Sequence, residues 1–125
     1  MAPAAAHYPG SAPIDAYGNG GFRFAGMSHR GSIFIVPSGI YAWDIASVAD
    51  LTPDSCSAFF REMAAPAFIV LGTGATHTIL NESIRDAFAK SGLGLEAMST
   101  GAACRTYNVL LAEGRALGAG LIAVD

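Results

Sequence analysis

Residues 67–76 read AFIVLGTGAT. An unbroken apolar run is followed at once by a glycine-rich turn. A strand with one face in water alternates apolar and polar residues. This one does not, so both faces must be covered, the pattern of a central strand in a parallel sheet. Such a strand needs helices around it, and the neighbouring sequence supplies them. Upstream, Thr52, Pro53 and Asp54 form a helix start, with Cys56, Phe59, Phe60 and Met63 at amphipathic spacing behind it. Downstream, Asn81 can cap a helix to about Ser91. Ile84, Ala87 and Phe88 face inward there, Asp86 and Lys90 form a pair, and Gly92 is the stop. Residues 93–97 follow as a strand whose one acid, Glu96, points outward or to the sheet end. A third helix after Ser99 leads to a last apolar strand over 116–124. Strands and helices alternating in this way predict an α/β sheet with helices packed against it.

Ahead of this unit the pattern is β only. Phe22 and Phe24 alternate with Arg23, residues 28–32 read as a hairpin turn with Gly31 supplying the unusual dihedral, and strands are expected over 32–36 and 40–43. Residues 1–20 are rich in Pro, Gly and Ala and have no period. They read as a mobile arm that Ile14 and Tyr17 tack onto a single α/β domain spanning 21–125.

Composition narrows the function. The chain has 125 residues, 52% hydrophobic and 14% charged, with a net charge of −3. Little polar surface is available, so an apolar patch that meets a protein partner is expected, and an oligomer is compatible with it. The basic residues form no run, which excludes the phosphate neutralisation on which nucleic-acid binding rests. Cys56 and Cys104 have no CxxC partner and no ligand spacing to His7, His29 or His77, so no metal is expected. No apolar run reaches the roughly 20 residues of a membrane-spanning helix. Neither a signal block nor an Arg-rich transit segment precedes Arg23, and the expectation is a cytoplasmic, bacterial protein.

The richest stretch is residues 99–115, STGAACRTYNVLLAEGR. On a helical wheel Ala103, Cys104, Tyr107, Leu110, Leu111 and Gly114 form one stripe, which should face the sheet with Gly114 allowing close approach. Ser99 or Thr100 can cap the first turn. Arg105 lies away from the stripe, with Asn108 at its border. A helix start with small residues and an arginine can hold an anion. The same Arg105 can instead bond the 72–76 loop or the 99–102 turn and hold it still. Gly72, Thr73 and Gly74 open like a dinucleotide fingerprint, but His77 stands where the third glycine belongs and the next helix starts too late. No cofactor is therefore expected. Cys104 is a conceivable nucleophile beside Arg105, with His77 as its base, but the wheel puts it at the edge of the buried stripe.

Residues 68–75 and 93–115, followed by an apolar strand, resemble the small-domain family that includes a mitochondrial complex I (NADH dehydrogenase) assembly factor. Its bacterial members are of undefined function. The resemblance covers about residues 14–125. It rests on Gly72, Gly74, Met98, Thr100, Gly101, Cys104, Arg105, Thr106, Tyr107, Asn108, Glu113 and Arg115. It implies a three-layer α/β fold, with a mixed central sheet in which one strand is antiparallel, and a small β part. It also implies no catalytic residues. The function expected is that of a non-enzymatic assembly factor or adaptor linked to complex I or membrane-protein assembly, with peripheral contact to membrane complexes. The alternative is a small-anion or ligand binder using Gly72, Thr73, Gly74, Thr100, Gly101, Arg105, Thr106 and Asn108.

Overall fold

In a computed structural model, which describes residues 6–125, the first described elements are strands. They are β1 (Ala6–Tyr8), β2 (Ile14–Gly18), β3 (Gly21–Phe24), β4 (Met27–Arg30), β5 (Ser32–Val36) and β6 (Gly39–Trp43). Two 3-10 turns, Val48–Asp50 and Asp54–Cys56, lead into α1 (Ser57–Glu62). Then come β7 (Phe68–Gly72), α2 (Glu82–Lys90), β8 (Gly94–Met98), α3 (Thr100–Ala112) and β9 (Leu117–Leu121).

The main sheet has six strands in the order β1-β6-β5-β9-β7-β8, and β2-β3-β4 form a second sheet of three. As the apolar run at 67–71 implies, β7 is central and pairs in parallel with both β8 and β9. β5 pairs antiparallel with β9 and with β6, and β1 antiparallel with β6. Two strands, β5 and β1, therefore run against the rest, where the resemblance implied one.

Alternate residues of the central strands feed two cores. Phe34, Ile69 and Leu71 join Phe59, Ile84 and Phe88 of α1 and α2 on one face. Ile33, Ile35 and Val70 join Ala103, Cys104 and Tyr107 of α3 on the other, together with Phe22 and Phe24 of the small sheet. The result is three layers: α1 and α2, the main sheet, then α3 beside the small sheet. Among the described residues no helix is long and apolar enough to cross a membrane.

Three local expectations need correction. The arm predicted over 1–20 is, from Ala6 on, largely strand: β1 lies on β6, and β2 lies on β3. Residues 1–5 of that prediction lie outside the described residues. The hairpin turn falls at Ala25 and Gly26, both with positive φ (50° and 75°), which pairs β4 directly with β3. Residues 28–30 are thus strand, and Gly31 (φ +99°) instead carries the chain from the small sheet into the large one. Gly114 does not approach the sheet. With φ +73° it sits just past the end of α3, its N–H donating to Leu111 O (3.0 Å) and that of Arg115 to Leu110 O (3.2 Å). This pair of bonds satisfies carbonyls that the helix end would leave open.

Candidate functional site

β7, β8 and β9 are parallel, so their carboxyl ends open on one edge of the sheet. In open α/β sheets this is where ligands and partners are received. The loop after β7, the start of α3 and the segment after β9 meet there, and two threonines hold them together. The buried Thr100 hydroxyl accepts from Gly74 N–H (3.0 Å) and donates to Ile122 O (2.7 Å), while Thr100 N–H donates to Gly74 O (2.8 Å). One side chain thereby ties all three strand ends. The Thr73 hydroxyl reaches the carbonyls of Thr76 (2.7 Å) and Met98 (3.1 Å) and accepts from Thr78 N–H (3.1 Å), which folds the loop back on itself. Gly72 lies under the crossing. A Cβ built there would stand 2.9 Å from both Thr100 Cα and Thr100 Oγ1.

Ser99 caps α3, its hydroxyl accepting from Ala102 N–H (3.4 Å). Further along the helix, Asn108 forms a two-point clamp on the backbone of β2. Its Oδ1 accepts from Ile14 N–H and its Nδ2 donates to Ile14 O, both at 2.8 Å. The hydroxyl of fully buried Tyr107 donates to Ala12 O (3.0 Å), and burial raises its pKa. Asn108 is thus bonded to the backbone of the N-terminal segment. The Thr106 hydroxyl touches Met98 Sδ (3.4 Å).

Arg105 differs from its neighbours. It is exposed, and among the described residues it makes no hydrogen bond or ion pair. The tie expected of its guanidinium is made by Thr100, whose short side chain reaches both loops from inside the crossing. Arg105 instead borders an open hollow of about 640 Å³, with Tyr17, Gly74, Gly101, Val124 and Asp125 among its walls. Gly101 faces the Tyr17 hydroxyl directly, and a Cβ there would collide with it. Tyr17, 45% exposed, is the wall residue that motif reading around 72–76 and 99–108 misses. Its signal was a lone aromatic in a stretch of small residues, and it reaches the hollow only because β2 is held to α3.

Of the eight candidate residues, Gly74, Gly101 and Arg105 border the hollow together with Thr73. Gly72 and Thr100 lie in the crossing beneath it, and Thr106 and Asn108 lie farther along α3. The arrangement offers a cation beside a helix start, with Asp125 lining the same hollow. Cys104 is buried against the sheet, and burial pushes its thiol up to about 12 against the opposing pull of the Arg105 charge. His77 borders a different hollow, on the α2 side of the sheet, so the pair imagined for thiol chemistry is not assembled. Among the described residues no cluster of three His, Cys, Asp or Glu side chains could hold a metal ion.

A family model described as "Protein of unknown function (DUF498/DUF598)" matches residues 14–122. The chain belongs to this family. The matched span runs from the Ile14 that Asn108 clamps to the Ile122 that Thr100 holds, so it contains both ties. Among curated relatives, the mouse protein named NADH dehydrogenase [ubiquinone] 1 alpha subcomplex assembly factor 3 is 32% identical over 115 residues, 92% of this chain and 62% of its own length. The chain thus spans about three fifths of the length of that relative. An uncharacterised protein of Rhodobacter capsulatus is 38% identical over 123 residues, covering 98% of this chain and 93% of its own. A solved structure described as an outer membrane protein from Bartonella henselae superposes with a TM-score of 0.89 at 50% identity, covering 95% of this chain and all (100%) of that one.

Proposed function

We infer that the chain is a non-enzymatic, assembly-factor-like adaptor that docks a protein partner at the carboxyl edge of its parallel strands. The partner belongs to a membrane-bound assembly such as a respiratory complex, as the name of the mouse relative suggests for that protein. One observation carries the reading. Thr73, Thr100 and Asn108 are engaged within the fold, and Arg105, which makes no hydrogen bond or ion pair among the described residues, is left charged on an open edge that it shares with Asp125. The nucleophile and base that the motif offers, Cys104 and His77, are buried and on the other side of the sheet respectively; a docking surface needs a rigid rim and charge, which the tied loops, Arg105 and Asp125 supply. The contact is peripheral to the membrane. The test is isolation of the tagged full chain from gently solubilised membranes of its own source, with quantitative mass spectrometry against an unrelated α/β domain. Enrichment of subunits of one membrane complex is expected. Their absence in repeated isolations would contradict the reading.

A second reading, a small-anion binder at the same edge, is favoured by the position of Arg105 beside the start of α3. Thermal-shift titration with phosphate, nucleotides and small carboxylates separates the two. A ligand present at about 100 times its Kd adds about 2.7 kcal/mol of stability, and the adaptor reading expects no such shift.

A further inference from the structure

The two ends of the main sheet are protected very differently. At one end β1 is only three residues long and its pairing with β6 is irregular. At the other end β8 is five residues long, in regular register with β7, and no strand among the described residues pairs with its outer side. The ladder fixes which groups are free. Gly94 N–H donates to Ala67 O (2.9 Å) and Met98 O accepts from Thr73 N–H (2.8 Å). Residues 94, 96 and 98 therefore bond towards β7, and the N–H and C=O of Leu95 and Ala97 point off the edge. The side chains sort the other way. Leu95 and Ala97 lie on the α2 face, Met98 lies on the α3 face, and Glu96, exposed, shares the side of Met98.

Beside that edge, on the α2 face, lies a hollow of about 530 Å³ whose apolar walls are Ile79, Leu80, Phe88 and Leu95, with His77 and Arg85 also lining it. Ile79 is 80% exposed, the most open large apolar side chain among the described residues. A free ladder beside an apolar hollow is the geometry in which an extended segment adds a strand, the backbone giving affinity and alternate side chains giving selectivity.

The charge of Glu96 decides the occupant. A second copy could pair antiparallel about a two-fold axis. The register that satisfies all four free groups sets Leu95 against the other copy's Ala97 and Glu96 directly against Glu96, which like-charge repulsion opposes. The same position favours a basic residue. We propose that β8 is an edge-docking site for an extended segment of a protein partner carrying an apolar–basic–apolar triplet. The apolar residues would lie over the Ile79–Leu95 hollow and the basic residue opposite Glu96. This rests on the adaptor reading above and names a second contact surface for it, on the far side of the sheet from Arg105's helix.

The test is an amide NMR titration of the full chain with three synthetic heptapeptides: acetyl-STVKVTS-amide, its Glu-for-Lys counterpart, and the Lys peptide N-methylated at both valines. The Lys peptide should shift the amides of Leu95, Glu96 and Ala97. The Glu peptide should bind roughly tenfold more weakly, and the N-methylated peptide should leave these amides unmoved. Glu96→Lys, an exposed change that the fold should tolerate, should reverse the charge preference. Shifts confined to other parts of the chain, an absence of charge preference, or concentration-dependent dimerisation through β8 would each overturn the proposal. Ala97→Pro removes one outward N–H, a change an edge strand accepts. If membrane-complex subunits are captured equally by Ala97→Pro and the unsubstituted chain, and the peptides do not bind, the edge site is wrong while the adaptor reading stands. If no subunit is captured but the peptides bind as described, the adaptor reading fails and the edge site stands.

Discussion

Thr100 and Arg105 sit in the same helix and divide the work of the motif between them. The hydroxyl of Thr100 is wholly buried and bonds two backbone groups from different strand ends. Thr100→Val keeps the shape but leaves Gly74 N–H and Ile122 C=O unpaired, and should cost roughly 1–3 kcal/mol in urea unfolding. Arg105→Ala, on an exposed and unpaired side chain, should change stability by under about 0.5 kcal/mol. Equal effects would mean that the tie is not where the hydrogen bonds place it. Two glycines make a matching contrast. A Cβ at Gly72 meets the backbone of Thr100, which cannot yield, so Gly72→Ala should destabilise by roughly 1–3 kcal/mol. A Cβ at Gly101 meets only the end of the Tyr17 side chain, which can swing into solvent, so Gly101→Ala should leave the urea midpoint nearly unchanged while closing part of the hollow. Sequence reading found all four positions but could not rank them. A wheel shows that Arg105 lies off the buried stripe. It does not show that a threonine in the first turn already ties the 72–76 loop to the start of α3.

At the scale of elements, the α/β half was legible because its signals are local. The apolar run at 67–71, the cap at Asn81, and the stripe of Ala103, Cys104 and Tyr107 each lie within one element, and each is where its pattern implies. The N-terminal β1 and β2 were not legible because what holds them is far away in the chain. The backbone at Ala12 and Ile14 is bonded by Tyr107 and Asn108, 95 and 94 positions on, and no window over residues 1–20 contains that information. Asn108→Ala should therefore release β2 in particular. Amide exchange at Ile14 should speed up by much more than exchange in β7, with a stability loss of roughly 1–3 kcal/mol; uniform loss of protection would argue that the clamp is not local. With β1 paired to β6, His7 also meets His29 of β4, ring centroids 4.3 Å apart. Burial, and secondarily the charge of His7, lowers the His29 pKa. The unfolded chain then binds the proton more readily, so stability should be full above the ordinary histidine pKa of about 6.5 and fall as pH drops below it towards the lowered value. His29→Gln should flatten the decline in Tm between pH 7.5 and 5.5, and an unchanged decline would assign it to other groups.

For the whole molecule, three layers put every large apolar helix face against the sheet and leave a rigid edge where three parallel strands end. Composition pointed to a partner-binding protein, because so little charge covers so much apolar sequence. It could not say where the partner sits, since the hollow by Arg105 is assembled from β2, the 72–76 loop, α3 and the last residues of the chain. On the adaptor reading, Thr73, Thr100 and Asn108 build a stiff platform that presents Arg105 to a partner. Quantitative capture of membrane-complex subunits by Arg105→Ala and by the unsubstituted chain, at equal amounts of folded protein, decides whether Arg105 is part of the contact. Capture should fall at least several-fold, roughly 1 kcal/mol or more of binding, while the urea midpoint of the variant stays where it was. Undiminished capture by a fully folded Arg105→Ala would contradict it.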